Sequence, residues 1–294
     1  MESRGWFIVQ LQLPARVLRS QPYGESHAIL QLLSESGTLS AIARGAKKPH
    51  SKLRATTHLG SKSIYQMRLG SGMATILQAE LLESPKGPQV SVEKAAYAAY
   101  FSDLVRLSVP EYPNGNKEPF QVLDRIYDLM ENLDESDISM LAMLLEARVL
   151  RWSGVAPDVE YCGICGNYLN EDKVDATHGY AERLGQFLCQ RCWNSRNPLS
   201  GERAIPLSEK ELKILRALMW VPIQRLGHLY LSAPIVQNLR RILRYHLSEF
   251  AGIRPRSAKI LEEILLPLAE GDLDRLTSSF NSSPLRKEDK PSGD

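Results

Sequence analysis

The four cysteines of this chain lie in one short window, as two Cys-x-x-Cys pairs with 23 residues between the pairs. A two-residue spacing allows both sulfurs of one turn to reach the same ion, and tetrahedral Zn²⁺ takes four ligands. Gly163 and Gly166 suit the tight turn that the first pair requires. A segment this short cannot build a sufficient core of its own, so a metal would stabilise its fold. The spacing therefore predicts one structural Zn²⁺ per chain, held by Cys162, Cys165, Cys189 and Cys192.

Other uses of four cysteines fit the sequence less well. Disulfides are disfavoured in a reducing cytoplasm, and a thioredoxin-like redox pair needs a strand in a βαβ unit, which this segment lacks. An iron–sulfur cluster stays open as an alternative. A catalytic zinc usually keeps an open position, whereas four thiolates close the shell. The zinc-deaminase pattern needs His-x-Glu, and His178 is followed by Gly179 and Tyr180, so we expect His178 at the surface or in a hairpin.

Length and composition are those of an ordinary soluble protein of two or three domains. The 294 residues are 43% hydrophobic and 24% charged. No run of about 18 apolar residues occurs, and the N-terminus lacks the design of a signal peptide. We therefore expect a cytoplasmic protein without a membrane partner.

Charge is strongly segregated along the chain although the formal net charge is only +2. Residues 1–80 carry ten basic and four acidic side chains, and residues 225–259 carry seven and one. Between them, residues 81–160 carry seven basic and fourteen acidic side chains. Segregated basic charge favours a polyanionic partner, with ordinary solvated faces as the alternative.

The first 82 residues have the pattern of closely spaced short strands. Two strands are predicted at residues 6–13 and 15–19, with Pro14 between them. Turn signals such as Pro22-Tyr23-Gly24 separate the further strands, predicted at residues 27–33, 38–44, 60–68 and 73–82. Such spacing is typical of a small all-β barrel or sandwich.

The remainder of the chain is predominantly helical. After a linker at residues 84–88, apolar residues recur at spacings of three and four up to about Gly154, and Pro119 fits the first turn of a helix. Glu146 and Arg148 fall in a very apolar helix and need polar partners or exposure. Further helices are predicted at residues 208–219, 233–250 and 257–268, followed by a polar, Pro/Ser-rich tail that we expect to be disordered.

A basic segment follows the fourth predicted strand. No acidic residue occurs between Glu35 and Glu80, and the stretch ARGAKKPHSKLR predicts a mobile or extended loop. Arrays of Lys and Arg bind phosphates with release of counterions, and a Ser hydroxyl can add a phosphate contact. The candidate DNA contacts are Arg44, Lys47, Lys48, Ser51, Lys52, Arg54, Lys62 and Arg68. Aromatic residues that could stack on bases, or fill the core instead, are Trp6, Phe7, Tyr23 and Tyr65.

A second basic cluster lies on a predicted helix. Arg240, Arg241 and Arg244 share the face opposite its leucines. They could contact DNA, pair with the carboxylates of an acidic peptide, or form a solvated face. No P-loop, GxGxxG, GxSxG or two-metal carboxylate motif is present, which favours a protein that is not an enzyme.

Three motifs together resemble the bacterial recombination mediator family RecO. The stretch VLRSQPYGESHAILQLLSESGTLSAIARGAKKPHSKLR is similar to the N-terminal signature of that family. The four cysteines after the apolar helix resemble its zinc-bearing members, and YHLSEFAGIRPRSAKIL resembles its C-terminal helix. The resemblance spans residues 6–261.

The resemblance implies an α+β multidomain architecture. It implies an N-terminal OB-fold β-barrel that binds nucleic acid at residues 1–82, followed by an α-helical domain at residues 83–157 and 198–270. A four-cysteine zinc module at residues 158–197 is inserted in the helical domain, and a disordered tail occupies residues 271–294.

The resemblance also implies the function of a non-enzymatic mediator of the RecF pathway. Such a protein binds single- and double-stranded DNA, anneals strands coated with single-strand-binding protein, and with RecR promotes RecA loading at the nucleoid. By position, the basic loop from Arg44 to Arg54 would contact DNA. Arg240, Arg241 and Arg244 are candidates for binding the acidic C-terminal tail of single-strand-binding protein. The alternatives are a zinc-ribbon transcription regulator and a zinc-dependent nucleic-acid enzyme.

Overall fold

The N-terminal region is a closed five-stranded β-barrel. The computed structural model describes residues 9–70, 72–133, 135–169, 177–195, 204–225 and 231–265. Strands pair in the order β1-β2-β3-β5-β4, with β3 and β5 parallel and β4 returning to β1. This order confirms the predicted barrel and fits the five-stranded OB-fold. The strands are β1 (Val9–Tyr23), β2 (His27–Ser34), β3 (Gly37–Ala43), β4 (Lys62–Leu69) and β5 (Ala74–Glu83).

The predicted break at Pro14 is wrong, because β1 runs through it as one strand of 15 residues. Proline lacks the N–H that a strand interior normally donates, so it is tolerated where one edge is unpaired. Strand β1 pairs with β2 only from Arg16 onward, whereas its pairing with β4 covers Val9 to Arg16. Pro14 therefore lies where the second edge of β1 has no ladder with any described strand.

Alternating side chains of the strands fill the barrel. Leu30 and Leu32 of β2 and Met67 of β4 are fully buried. Tyr65 is also core and not a stacking platform, since its side chain is buried, its hydroxyl donates to the carbonyl of Thr56, and burial raises its pKa to about 12. Tyr23 is half exposed. Trp6 and Phe7 lie outside the described residues.

Helices and one small sheet form the rest of the described chain. Their buried side chains make one continuous core, which also includes three of the cysteines. Pro119 occupies the first turn of its helix as predicted. None of the described helices is both long and apolar enough to cross a membrane. The helices are α1 (Gly87–Val90), α2 (Val92–Ser108), α3 (Glu118–Asn132), α4 (Glu135–Trp152), α5 (Gln190–Ser195), α6 (Glu209–Trp220), α7 (Ala233–Glu249) and α8 (Ser257–Leu265).

The two buried charged residues of the apolar helix α4, Glu146 and Arg148, both have polar partners. Glu146 accepts hydrogen bonds from the Tyr100 hydroxyl at 2.6 Å and from Nε of Arg244 at 3.4 Å. Complete burial raises the pKa of Glu146 even though Arg244 and Tyr100 oppose that shift. Arg148 donates to Glu118 at 3.1 Å. Buried ionisable groups are tolerated only with such partners.

The small sheet joins the cysteine segment to the helices. Its strands are β6 (Thr177–Ala181), β7 (Gln186–Leu188) and β8 (Ala204–Ser208), in the order β7-β6-β8. Strand β8 comes after residue 197, where the predicted module ends, and Ser208 caps α6 in a reciprocal pair with Glu211. The predicted division into domains stays a prediction, and its predicted tail lies outside the described residues.

A buried arginine joins the barrel to the helices. Arg16 of β1 is 1% exposed and donates to the carbonyl of Gly60 at 2.7 Å, to Glu83 at 2.8 Å and to Asp124 of α3. Lys62 bridges the same two carboxylates, at 3.0 Å from Glu83 and 2.8 Å from Asp124. The two cations and two carboxylates thus balance each other across the interface.

A second contact between barrel and helices is made by backbone. The amide of Thr38 donates to the carbonyl of Pro110 at 3.1 Å, and the amide of Tyr112 returns a bond to Thr38 at 2.7 Å. Gly37 has φ +109°, and a Cβ there would come within 2.9 Å of the Pro110 carbonyl. Only glycine allows this approach without strain.

We expect Asp124→Ala to destabilise the fold by about 2 to 3 kcal/mol, because it leaves the buried guanidinium of Arg16 short of a carboxylate. Urea unfolding of the purified protein measures this change. Arg125→Ala is the matched control, since Arg125 pairs with Asp128 at 3.8 Å on an exposed surface, and we expect a change of about 0.5 kcal/mol or less. Equal effects of the two substitutions would show that the network does not stabilise the fold.

Acid should weaken the same network. Asp124 is partly desolvated, which raises its pKa, but hydrogen bonds from Lys62 and Arg16 outweigh this effect and lower the pKa below its ordinary value. A lowered folded-state pKa contributes stability above the unfolded pKa of about 3.9 and loses it as the pH falls through the folded value. We expect unfolding free energies of wild type and Asp124→Asn to converge below about pH 4. A constant difference down to pH 2 would contradict this account.

Candidate metal centre and nucleic-acid interface

The four cysteine sulfurs converge on one point. All four lie within 4.8 Å of one another, and Sγ of Cys165 is 3.7 Å from Sγ of Cys189. Zinc–sulfur bonds of about 2.3 Å in a tetrahedron place sulfurs about 3.8 Å apart. A cluster of several irons would hold its sulfurs farther apart. The arrangement fits a single four-coordinate metal ion.

Backbone hydrogen bonds shape the first cysteine turn. The amide of Gly166, which has φ +69°, donates to the carbonyl of Cys162 at 2.9 Å. The amide of Gly163 donates to Phe187 of β7 at 2.9 Å, and a Cβ at Gly163 would lie 1.9 Å from the side chain of Gln186. Both glycines are therefore needed, Gly166 for its left-handed conformation and Gly163 for close packing on β7.

The second cysteine turn leads directly into a helix. Cys189 follows β7 and Cys192 lies in α5, with the amide of Trp193 donating to the Cys189 carbonyl at 2.8 Å. The Trp193 ring packs against β6 so closely that a Cβ at Gly179 would lie 2.0 Å from it. The β6–β7 hairpin thus carries both cysteine turns to the same point.

The pKa values of the cysteine thiols are shifted in opposite directions. Burial raises the pKa of Cys162, but backbone N–H groups of Cys165, Cys189 and Ile164 outweigh this effect and lower the pKa to about 7. Burial and the neighbouring thiols raise the pKa of Cys192 to about 12. Four thiolates this close repel one another, so a bound cation is what would stabilise them together.

His178 takes no part in the cysteine cluster and is not at the surface. It lies in strand β6 and is fully buried, with Nε2 at 2.8 Å from a carboxylate oxygen of Glu209. Glu209 is the first residue of α6, so the pair joins the hairpin to that helix. Of the two expected locations, the structure confirms the hairpin, since β6 pairs antiparallel with β7. The surface is wrong, because pairing with β8 and the contact with Glu209 enclose the side chain.

The basic loop between β3 and β4 is a series of tight turns and not an extended segment. The amide of Lys47 donates to the Ser26 carbonyl at 2.9 Å, and the amide of Gly45 donates to Nδ1 of His27 at 2.9 Å. Turns at residues 45–48, 48–51 and 51–54 follow one another. Backbone hydrogen bonds thus hold the loop on the barrel.

Five basic side chains of the loop are exposed to solvent and have no ion-pair partner among the described residues. These five side chains are Arg44, Lys47, Lys48, Lys52 and Arg54. Unpaired cations on an ordered loop are available for an anionic ligand at little cost in ordering.

The other candidate DNA contacts lie in different surroundings. Ser51 uses its hydroxyl to accept from the Leu53 amide at 3.3 Å, within the turn. Lys62 is bound to Glu83 and Asp124 at the barrel–helix interface, so we no longer propose it as a DNA contact. Arg68 is exposed at the far end of β4.

Two of the three arginines on α7 already hold carboxylates. Arg241 lies 3.2 Å from Glu182, and Arg244 pairs with Glu146 and Glu262. Arg240 is half buried, and its Nε has no hydrogen-bond partner among the residues that the structure describes. The cluster therefore consists of one guanidinium without an ion pair in the described ranges and two that bind internal acids.

Among the residues that the structure describes, the four cysteines are the only group of His, Cys, Asp or Glu side chains close enough to share a metal ion. The roles of Arg16 and Asp124, which join the barrel to helix α3, were not predicted from the sequence. A single arginine in a strand has no distinctive pattern, and its burial between Ala15 and Val17 becomes evident only in the folded protein.

Two family models cover most of the chain. The model described as "Recombination protein O N terminal" matches residues 9–85, and the model described as "Recombination protein O C terminal" matches residues 90–259. The boundary between them coincides with the passage from barrel to helices.

Curated relatives match along nearly their whole length. The chain is 29% identical over 252 residues to the DNA repair protein RecO of Oceanobacillus iheyensis, which covers 84% of this chain and 91% of that protein. It is 28% identical over 251 residues to the DNA repair protein RecO of Bacillus subtilis, covering 84% and 92%. For the protein of the same name in Exiguobacterium sibiricum the identity is 29% over 252 residues, covering 85% and 95%.

The resemblance to the RecO family found in the sequence agrees with the barrel, with the four-cysteine cluster and with both family models. The prediction that the protein is not an enzyme agrees as well, because RecO proteins are non-enzymatic recombination mediators. The chain belongs to the RecO family of DNA repair and recombination proteins.

Proposed function

We propose that this protein binds single- and double-stranded DNA and anneals complementary strands coated with single-strand-binding protein. The observation that carries the proposal is the ordered loop on the barrel with five exposed cations that have no ion-pair partner in the described ranges. With RecR, the protein would promote the loading of RecA. A protein with this partner would act in the cytoplasm, at the nucleoid.

Annealing needs no covalent chemistry. Cations that neutralise the phosphates of two strands remove the repulsion between them, and the released counterions drive binding. Phosphate contacts carry little base information, so sequence preference should be low. Half-exposed Tyr23, at the end of β1, is the one described stacking candidate that is available to a base.

The acidic C-terminal tail of single-strand-binding protein is the proposed peptide partner of the helical region. Of the three arginines predicted to hold it, Arg240 is the best candidate because Arg241 and Arg244 already bind Glu182 and Glu146. An acidic peptide would have to displace those internal carboxylates to use the other two. RecR remains a proposed partner without an assigned surface.

One structural Zn²⁺ is the proposed occupant of the cysteine cluster. Four thiolates close its coordination shell, so its role would be to hold the two cysteine turns on the β6–β7 hairpin. The residues that would hold it are Cys162, Cys165, Cys189 and Cys192.

Annealing of two complementary oligonucleotides precoated with the matching single-strand-binding protein tests the main proposal. We expect faster annealing with chemically unchanged strands, weakened as the salt concentration rises. Absence of acceleration by folded, metal-loaded protein would remove the annealing claim. Cleaved or altered strands would indicate a nucleic-acid enzyme, and marked preference for one duplex sequence would indicate a transcription regulator.

The loop should be the source of the salt dependence. In the variant Arg44→Ala/Lys48→Ala/Lys52→Ala, the slope of log binding constant against log salt for single strands should fall by about 2, at about 0.7 per lost phosphate contact. Arg183→Ala/Lys210→Ala removes exposed cations elsewhere and should leave the slope unchanged. Equal slopes for wild type and the loop variant would exclude the loop as the phosphate site.

Metal analysis tests the cysteine site. Purified protein should contain about one equivalent of zinc, and Cys189→Ala should lose it and unfold at a lower temperature, since the ion holds both turns. Arg191→Ala, an exposed position between two of the cysteines, should retain the metal. Iron and sulfide in place of zinc, or unchanged zinc content in Cys189→Ala, would overturn the proposed site.

A further inference from the structure

A groove of about 890 Å³ opens where the barrel meets the helices. Its walls come from four parts of the chain: β1, the basic loop, α2 and the link between α7 and α8. These parts are far apart in sequence, and the docking of the barrel on α3 brings them together. The groove therefore belongs neither to the barrel alone nor to the helices alone.

Cations dominate the lining of the groove. Six of its described side chains are basic, and Asp103 is the one acid among them. Asp103 is already occupied, since one oxygen accepts from Arg106 at 3.1 Å and the other from the Ser257 hydroxyl at 2.8 Å. The basic side chains are Arg19, Lys47, Arg54, Arg106, Arg254 and Arg256.

Most of these cations are available. Arg19, Lys47, Arg54 and Arg256 are exposed and form no ion pair within the described ranges. Arg254 lies 3.0 Å from Glu249, but both partners are largely exposed, and such pairs contribute little. The groove thus concentrates positive charge that the described residues leave unbalanced, and walls of low dielectric constant strengthen its potential.

The loop divides its cations between the groove and the outer surface. Lys47 and Arg54 line the groove, whereas Arg44, Lys48 and Lys52 do not. Positive charge therefore continues from the groove onto the outer face of the barrel loop. A short acidic peptide would use only part of this path, whereas a polymer with a charge on every unit would use all of it.

The apolar part of the lining limits what can be recognised. Leu59 and Leu107 are 36% and 42% exposed and offer surface for packing against bases. No Phe, Tyr or Trp occurs among the described residues of the lining, which thus offer none of the aromatic platforms on which bases stack strongly. Recognition in the groove would come from phosphates, with little discrimination between bases.

We propose that this groove is a second phosphate-binding surface for a single DNA strand, with Arg254 and Arg256 holding the strand against Arg19 and Arg54 of the barrel. The inference rests on the proposed DNA-binding function and extends it to the C-terminal link. The loop, with cations both inside the groove and outside it, would then contact two strands at once. Bringing two strands to one loop is what annealing requires.

The test is a salt series of single-strand binding with the full-length variant Arg254→Ala/Arg256→Ala. We expect its salt slope to fall by about 1.4, at about 0.7 for each lost phosphate contact, which at 0.1 M salt lowers affinity by up to about 25-fold. The variant Arg254→Lys/Arg256→Lys keeps both charges and should retain most of the slope. A slope lost in the alanine variant and kept in the lysine variant comes from the removed charges when both variants unfold at the wild-type temperature.

Comparison with the loop variant separates this inference from the proposed function. If Arg44→Ala/Lys48→Ala/Lys52→Ala loses slope while Arg254→Ala/Arg256→Ala behaves as wild type, the groove proposal is wrong and the loop proposal stands. If neither variant loses slope, both proposals are wrong. If the groove variant keeps DNA binding but loses binding of a fluorescent hexaglutamate peptide, the groove is a peptide site and the DNA assignment is overturned.

Discussion

The buried guanidinium of Arg16 is the interaction on which the arrangement of the two regions depends. It donates hydrogen bonds to the Gly60 carbonyl and to Glu83 in the barrel, and to Asp124 in α3. Its hydrogen bonds are therefore complete only when the barrel is docked on the helices. It also lies 4.7 Å from the centre of the Tyr127 ring. Leaving such a charge buried without partners costs several kcal/mol, and this penalty disfavours other orientations of the barrel.

Steric fit acts together with this charge network. Gly60 has φ +76°, and a Cβ at that position would lie 2.6 Å from the Tyr127 ring. Gly60, near the end of the segment between β3 and β4, therefore packs directly on α3. Because the same docking forms the groove beside the loop, the interface and the proposed DNA path are parts of one arrangement.

The cysteine segment packs on helix α7 and connects to the C-terminal part of the described chain. Burial lowers the pKa of His246, which favours its neutral ring. A neutral ring with its proton on Nε2 donates to the Val155 carbonyl at 2.6 Å and accepts at Nδ1 from the Tyr180 hydroxyl at 2.7 Å. Gly185, in the hairpin turn, packs against Phe250 at the end of α7. These contacts connect the hairpin that bears the cysteines to the helix that precedes Arg254 and Arg256.

Much of this protein follows from local sequence patterns. The Cys-x-x-Cys spacing predicted a four-sulfur cluster, because such a turn needs only nearby residues to bring two thiols together. Alternating apolar residues predicted the barrel, and spacings of three and four predicted the helices. The break predicted at Pro14 was wrong because the cost of proline in a strand depends on whether the second edge is paired, which is a property of the sheet.

The sequence by itself also determined that basic charge is concentrated in two separate segments. Only the tertiary structure decided what each cation does. Lys62 and Arg244 turned inward because carboxylates from other elements face them, whereas the loop cations stayed exposed because no acid in the described part of the chain reaches them. Arg19 and Arg256, distant in sequence, came to line one groove. Pairing over such separations depends on the docking of the barrel on the helices, and no local pattern encodes it.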